Sequence, residues 1–262
     1  MKTWKIVILS TLLASGVAVA DSSSGKGGWH PGNGSGGGSP GVTLPDIPTI
    51  TGKAPLVPQS GKWDQAIHVY QPGNGNNSLV NQASSSGSVI DVHQYGNAGS
   101  STVTQNATKS AVYLNQYGTA NQSIATQNGT SSSISVTQKG QFNRSSATQA
   151  SGGSGNAITV SQDGALNRST IKQSGSGNAS SLAQTGYAND SDIVQAGKNS
   201  IADVQQSVGG NDSYVNQRAD NSAILVAQTN ADNFSSVNQT HNNAVTYVQQ
   251  AGLSNTSVVN QN

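Results

Sequence analysis

Glutamine carboxamides recur at two fixed places in a frame that runs from residue 65 to residue 261. A carboxamide is both a donor and an acceptor, so identical side chains at a regular spacing can hydrogen-bond in an unlimited column. With the first residue of each unit as position 0, position +6 is glutamine nine times: Gln71, Gln94, Gln116, Gln138, Gln162, Gln184, Gln206, Gln228 and Gln250. Position +17 is glutamine nine times as well: Gln82, Gln105, Gln127, Gln149, Gln173, Gln195, Gln217, Gln239 and Gln261.

Two further polar positions are almost as regular. Position +13 is serine in all nine units, and position +11 is asparagine in eight, with Gly99 as the exception. Asparagine has the same donor and acceptor pair as glutamine, so it is also a candidate for a stacked column. The candidate asparagines are Asn76, Asn121, Asn143, Asn167, Asn189, Asn211, Asn233 and Asn255.

The units that carry these residues follow one another with a nearly constant period. They occupy residues 65–82, 88–105, 110–127, 132–149, 156–173, 178–195, 200–217, 222–239 and 244–261. A repeat of this period indicates a solenoid or an array. Within a unit, apolar and polar residues alternate on each side of a break near position +8, which is typical of two half-buried strands. Aliphatic residues fill +4 and +15 and most +2 positions, and none of the charged side chains after residue 65 falls on that inward face.

A single unit has too few aliphatic residues to offset the entropy of ordering its backbone. Stacking at a strand spacing of about 4.8 Å would add backbone ladders and place each glutamine over its equivalent. A slip of one residue would turn charged side chains inward and break the columns, so the columns also fix the register. We therefore predict an all-β, cross-β solenoid of nine strand-turn-strand repeats that is built to polymerise.

The composition excludes several classes of function. Charged residues make up 9% of the chain, there is no cysteine, and the net charge is +1, so neither nucleic acid nor a cysteine-based zinc site is expected. Serine, histidine and aspartate are present, but a thin solenoid has no cleft in which to place a nucleophile. We expect no catalytic residue, no cofactor and no enzyme activity.

The histidines leave one alternative open. His68 and His93 fall at outward positions near strand ends and could lie close together on adjacent units. A weak metal site is one reading, and solvated surface is the reading that the sequence favours, so we expect no metal.

Residues 1–64 differ from the repeats. Lys2 and Lys5, the apolar residues 6–13 and the small residues 18–20 are typical of a cleaved signal peptide over residues 1–20. Residues 21–64 are rich in glycine and proline, a composition that predicts disorder. No later segment is apolar enough to be a transmembrane helix, so we expect a secreted, extracellular protein. The last unit is regular up to the C-terminus, where we expect no cap against edge pairing.

The pattern Ser-x5-Gln-x-Gly-x2-Asn-x-Ser-x3-Gln resembles the curlin repeat of bacterial curli, the extracellular functional amyloid. The resemblance covers residues 65–261, and the leader and the glycine-rich segment are also similar. The chain departs from the pattern at Gly99, at Val208 and Asn230 in place of the turn glycine, and in its proline-rich stretch 40–58.

This resemblance implies a homopolymeric fibre on the cell surface, which supports biofilm matrix and adhesion. It also implies a nucleating minor subunit and an outer-membrane secretion pore as partners. Two alternatives stay open: the chain could itself be the minor nucleator, or it could be a soluble solenoid that binds ice or a ligand.

Overall fold

A computed structural model describes residues 65–83 and 86–262. The predicted signal peptide and the glycine- and proline-rich segment lie outside the described residues. Every helix or strand in the described part of the chain is a β-strand, and each repeat contributes two of them. We call one such pair a rung and number the rungs 1 to 9 along the chain.

The first strands of the rungs form one nine-stranded sheet. They are β1 (Gln65–Tyr70), β3 (Ser88–Asn97), β5 (Ala111–Thr119), β7 (Ser133–Gln141), β9 (Ala157–Ala165), β11 (Ala179–Tyr187), β13 (Ile201–Gly209), β15 (Ala223–Thr229) and β17 (Val245–Ala251). The second strands form the other nine-stranded sheet. They are β2 (Asn77–Gln82), β4 (Ser100–Gln105), β6 (Gln122–Gln127), β8 (Arg144–Gln149), β10 (Arg168–Gln173), β12 (Asp190–Gln195), β14 (Asp212–Gln217), β16 (Phe234–Gln239) and β18 (Thr256–Gln261).

All neighbouring strands pair in parallel, and each residue pairs with the residue at the same position of the next rung. Val136, for example, pairs with Leu114 on one side and with Val160 on the other. The described part of the chain is therefore a parallel β-solenoid of nine rungs, which confirms the predicted fold class.

The core is a thin layer between the two sheets. Positions +2 and +4 of the first strands and position +15 of the second strands supply its aliphatic side chains, and Ile134, Val136 and Ile171 are fully buried. Alternate residues point outward and are partly exposed. The period-two alternation thus places each side chain on its face, as expected for strands with one buried side.

The first strand of a rung is longer than the alternation indicates. Apolar alternation stops at position +6, but β7 continues through Lys139 and Gly140 to Gln141, in register with β9. Gly140 has a φ of 98°, and a Cβ there would overlap the carbonyl oxygen of Gly164 in the next rung. Because glycine has no Cβ, the backbones of successive rungs approach closely at this point and remain paired beyond it. Val208 replaces the glycine in rung 7, and the ladder from that rung to the next ends at Gln206.

Rung 1 exposes positions that are buried in the interior. Ile67 is 51% and Val69 is 40% exposed, whereas Ile90 and Val92, their equivalents in rung 2, are 0% exposed. In the described residues β1 and β17 lie at the two edges of one sheet, and β2 and β18 at those of the other. The same part of the chain contains no helix that is long and apolar enough to span a bilayer.

Candidate functional site

The glutamines at position +6 form one continuous column along the solenoid. Gln71 donates to Gln94, and each later glutamine donates through Nε2 to Oε1 of the glutamine in the next rung, at 2.7 to 2.9 Å, as far as Gln250. All of these bonds point the same way along the axis. The column therefore has a polarity, with a donor directed toward higher rungs and an acceptor toward lower ones.

The glutamines at position +17 form a second column of the same polarity. Gln82 donates to Gln105, and the series continues to Gln261 with donor–acceptor distances of 2.7 to 3.2 Å. In the interior these side chains are buried; Gln127 and Gln149 are 0% exposed. A buried carboxamide is costly without partners, and here each interior one has an equivalent above and below it.

The second Nε2 hydrogen of most of these glutamines links the two sheets. Gln138, at the inner end of the first strand, donates to the carbonyl of Gln122 at the start of a second strand. Gln149 donates in the same manner to the carbonyl of Ser133. The glutamines thus bind both between rungs and across the core, which explains why amides stand at the two ends of the apolar layer.

The asparagines at position +11 bond mainly to the backbone of the turn, which we call a clamp, and only some of them also bond to one another. Asn143 accepts a hydrogen bond from the backbone N–H of Asn167, and its Nδ2 donates to the carbonyls of Lys139 and Gly164. Among the described residues, direct bonds between these asparagine side chains join successive rungs only from Asn143 to Asn255. At Gly99 the backbone N–H still donates to Asn76 Oδ1, but the residue has no side chain to continue the series.

A matching clamp at position 0 is absent from the sequence-based list of candidates. Ser132 donates to the carbonyl of Thr130 and accepts from the backbone N–H of Asn156. Asn156 accepts in turn from the backbone N–H of Asn178. Position 0 is serine or asparagine in seven of the nine units, and the exceptions, Gln65 and Ala244, belong to the two end rungs. That regularity was the signal available in the sequence.

The serines at position +13 behave differently from the amides. Ser78 and Ser101 lie 2.8 Å apart and can share a hydrogen bond. Further along the column the hydroxyl oxygens are buried and have no hydrogen-bond partner among the described residues; they belong to Ser123, Ser145, Ser169, Ser191, Ser213 and Ser235. The invariant serine therefore contributes a small side chain rather than a hydrogen bond along most of the solenoid.

One carboxylate on the outward face is nearly covered. Asp203 is 7% exposed and pairs in register with Ser181 and Leu225 in the adjacent rungs. Burial raises the pKa of Asp203, although hydrogen bonds from Gln205 and Ser181 act in the opposite direction. Burial likewise raises the pKa of Asp190 and of Asp212, which pair in register on the second sheet.

The two histidines of rungs 1 and 2 come together with a third residue. His68 pairs in register with Asp91, and His93 lies two residues further along the same strand as Asp91. Their polar atoms converge on the outward face of the first sheet. The sequence indicated the proximity of the histidines but did not single out Asp91 as their neighbour.

Comparison with protein families gives the repeats a name. Residues 129–164 and 153–186 each match the model of the curlin associated repeat. These are curlin repeats. A search of the curated proteins gave no match to the chain.

The two matched segments contain most of rungs 4 to 6, and the other rungs share their strand register and their glutamine columns. Residues 129–186 are thus curlin repeats within a β-solenoid, a combination that supports a structural, curli-like protein. Its buried polar residues hold the solenoid together.

Proposed function

We propose that this protein is the main subunit of an extracellular amyloid fibre, and that it assembles by stacking the last rung of one chain on the first rung of the next. The observation that carries the proposal is the uniform polarity of the two glutamine columns. Gln71 is the first donor of one column and Gln250 its last acceptor. A second copy added at either end would continue the column with the same bond direction, as Gln250 would donate to Gln71 of the next chain.

The strand edges support the same assembly. Every rung pairs in parallel with the next, so a further copy can add two parallel strands to the two sheets in a single register. Exposed backbone edges are templates for pairing with another chain. The half-exposed Ile67 and Val69 of rung 1 would be covered by the core residues of the added rung, which would supply apolar burial as well as hydrogen bonds.

The curlin repeats also support a proposal for the location and the partners of the chain. Curlin repeats occur in extracellular fibres, and the predicted signal peptide agrees with secretion. We therefore propose a fibre at the cell surface that contributes to biofilm matrix and adhesion, with export through an outer-membrane pore and nucleation by a minor curlin subunit. A chain with nine repeats that continue one another is suited to elongating a fibre, which favours the role of bulk subunit over that of nucleator.

The test is the behaviour of the purified chain from Asp21 onward. We expect a disordered monomer that converts without a cofactor into fibrils with cross-β diffraction at about 4.8 Å and about 10 Å. Fragments of these fibrils should abolish the lag phase of fresh monomer. A folded monomer that persists for days at micromolar concentration would refute the fibre proposal and favour a soluble binding solenoid.

A further inference from the structure

The outward face of rungs 1 and 2 carries a convergent set of metal-binding atoms. Asp91 Oδ1 lies 2.8 Å from His68 Nδ1 and 3.1 Å from His93 Nε2. The two histidine nitrogens are 3.3 Å apart. Three donor atoms from three side chains thus stand at the corners of one small triangle.

The size of this triangle matches the coordination shell of a transition metal. A tetrahedral ion with metal–ligand distances of about 2.0–2.1 Å places its ligands about 3.3 Å from one another. Hydrogen bonds alone explain this arrangement less well. If both histidine nitrogens donated to Asp91 Oδ1, their two hydrogens would be directed at the same oxygen and would repel each other. One cation in the place of those two protons would be attracted to all three atoms.

The backbone fixes the positions of the three side chains. Asp91 and His68 are directly opposite each other in the parallel ladder between β1 and β3, and His93 is on the same face of β3 as Asp91. The ring of His93 is packed edge-on against Tyr70 and Tyr95, with centroid separations of 6.0 and 5.9 Å. This packing limits the rotation of the imidazole and reduces the cost of ordering it around an ion.

We propose that His68, Asp91 and His93 form a binding site for a divalent transition-metal ion, with Zn²⁺ as the reference ligand. Two imidazoles and one carboxylate suit Zn²⁺ and Cu²⁺ and do not suit Mg²⁺ or Ca²⁺, which require more oxygen ligands. The side chains of His68, Asp91 and His93 are 40%, 30% and 25% exposed. The outer side of the triangle is therefore open to water as a fourth ligand.

The site would join the two rungs at the end of the solenoid. His68 belongs to rung 1, whose core positions are half exposed, and both other ligands belong to rung 2. A bound ion would add a link between these rungs, so the metal would reduce local opening of β1 in the folded chain. This role is independent of whether the chain polymerises.

The experiment is a titration of the mature chain in its β-sheet state, as sonicated fibres, with Zn²⁺, followed by calorimetry, and with Co²⁺, followed by its visible absorption. Should the chain instead stay a folded monomer, the same titration applies to that monomer, so the two proposals can fail separately. We expect one ion per chain, tetrahedral Co²⁺ bands, and at least ~10-fold weaker binding in His68→Ala, Asp91→Asn and His93→Ala. Hydrogen exchange should show greater protection of β1 when Zn²⁺ is present. The amide I spectrum of each variant must show the β-sheet content of the parent, so that loss of binding is separated from loss of fold.

Matched controls are available in the same chain. Asp203 occupies the same position of rung 7 as Asp91 does of rung 2, so Asp203→Asn should leave Zn²⁺ binding unchanged. His241, an exposed connector residue, and His30 should likewise be replaceable by alanine without effect. Equal binding in the parent and in the three site variants, or no binding by the parent, would overturn the proposal.

Discussion

At the scale of single residues, the glutamines and the serines of one rung differ in how fully they are hydrogen-bonded. Gln149 accepts from Gln127 and donates to Gln173 and to the carbonyl of Ser133. Ser145, four residues earlier on the same buried face, has a hydroxyl oxygen without a partner among the described residues. Both positions hold the same residue in all nine units. Hydrogen bonds account for the glutamine, whereas they do not account for the serine.

This difference predicts opposite outcomes for two alanine substitutions. Gln149→Ala would leave three buried partners without their bonds, at about 1–3 kcal/mol each, so we expect a loss of about 3 kcal/mol or more in stability. Ser145→Ala removes a buried hydroxyl that has no bond, so its effect should lie within about 0.5 kcal/mol of zero or be stabilising. Guanidinium dissociation of the assembled fibres into unfolded monomer measures both. A serine variant as unstable as the glutamine variant would show that the hydroxyl column is bonded after all.

Asp203 predicts how stability depends on pH. Its pKa is raised in the folded state by burial, so the folded chain binds a proton more readily than the unfolded chain. The ionised carboxylate therefore opposes folding at neutral pH, and stability is gained as pH falls through the raised pKa toward the ordinary value of about 3.9. Asp203→Asn should be more stable than the parent at pH 7, and the difference should vanish near pH 3.

The control for this pH effect is Asp163→Asn, since Asp163 is an exposed residue on the same sheet. We expect that substitution to leave the denaturation midpoint unchanged at both pH values. If Asp203→Asn were less stable than the parent at neutral pH, the hydrogen bonds from Gln205 and Ser181 would outweigh the cost of burying the charge.

At the scale of the structural elements, the turn is defined by which residues can adopt a left-handed backbone. The residues just before the two polar clamps of rung 4, Ser131 and Phe142, have φ values of 52° and 56°. Gly140 has a φ of 98° and faces the backbone of the next rung. The two clamps and the glycine lie where the chain passes from one sheet to the other, within a rung and between rungs.

Two glycines with similar φ separate close approach from backbone strain. Gly140→Ala would place a methyl group against the Gly164 carbonyl, so we expect loss of the ladder at this turn and destabilisation of about 3 kcal/mol or more. Gly152 has a φ of 84°, but a Cβ there would have no atom within 4 Å, so Gly152→Ala should cost only about 1–2 kcal/mol. Equal losses of stability in the two variants, measured by denaturation, would mean that backbone strain alone determines the cost and that the close approach of the next rung adds nothing.

Alternation and spacing predicted most of this architecture from the sequence. They indicated nine pairs of strands, the inward aliphatic positions and the stacking of equal positions, because a strand has a side-chain period of two and a stack has the period of its repeat. They did not indicate the clamp at position 0 or the extension of β7 to Gln141, since both depend on backbone groups of the next rung. His68 and Asp91 occupy the same position of successive units, so the spacing itself contained the signal for that contact.

At the scale of the whole molecule, the proposed assembly requires that the two end rungs of the solenoid complement each other. The ladders, the aliphatic columns and the glutamine columns run from rung 1 to rung 9 in one register and with one polarity. Such a stack has no internal length limit, because each rung contacts only its neighbours. A second copy at the end would meet the same positions that each interior rung meets within the chain.

The most direct measurement of this head-to-tail stacking is disulfide cross-linking within fibres of a double variant, Tyr70→Cys with Gln249→Cys. The chain has no cysteine, and these residues occupy the same outward position of rungs 1 and 9. If rung 9 stacks on rung 1 of the next chain, their Cα atoms should be about 4.8 Å apart, within the range for a disulfide. Oxidised fibres should then give a long ladder of covalent multimers on a non-reducing gel, whereas Tyr70→Cys with Ser161→Cys, which places the second cysteine in rung 5, should not. A ladder equally long in both variants, or only monomers and dimers in the first, would contradict head-to-tail stacking.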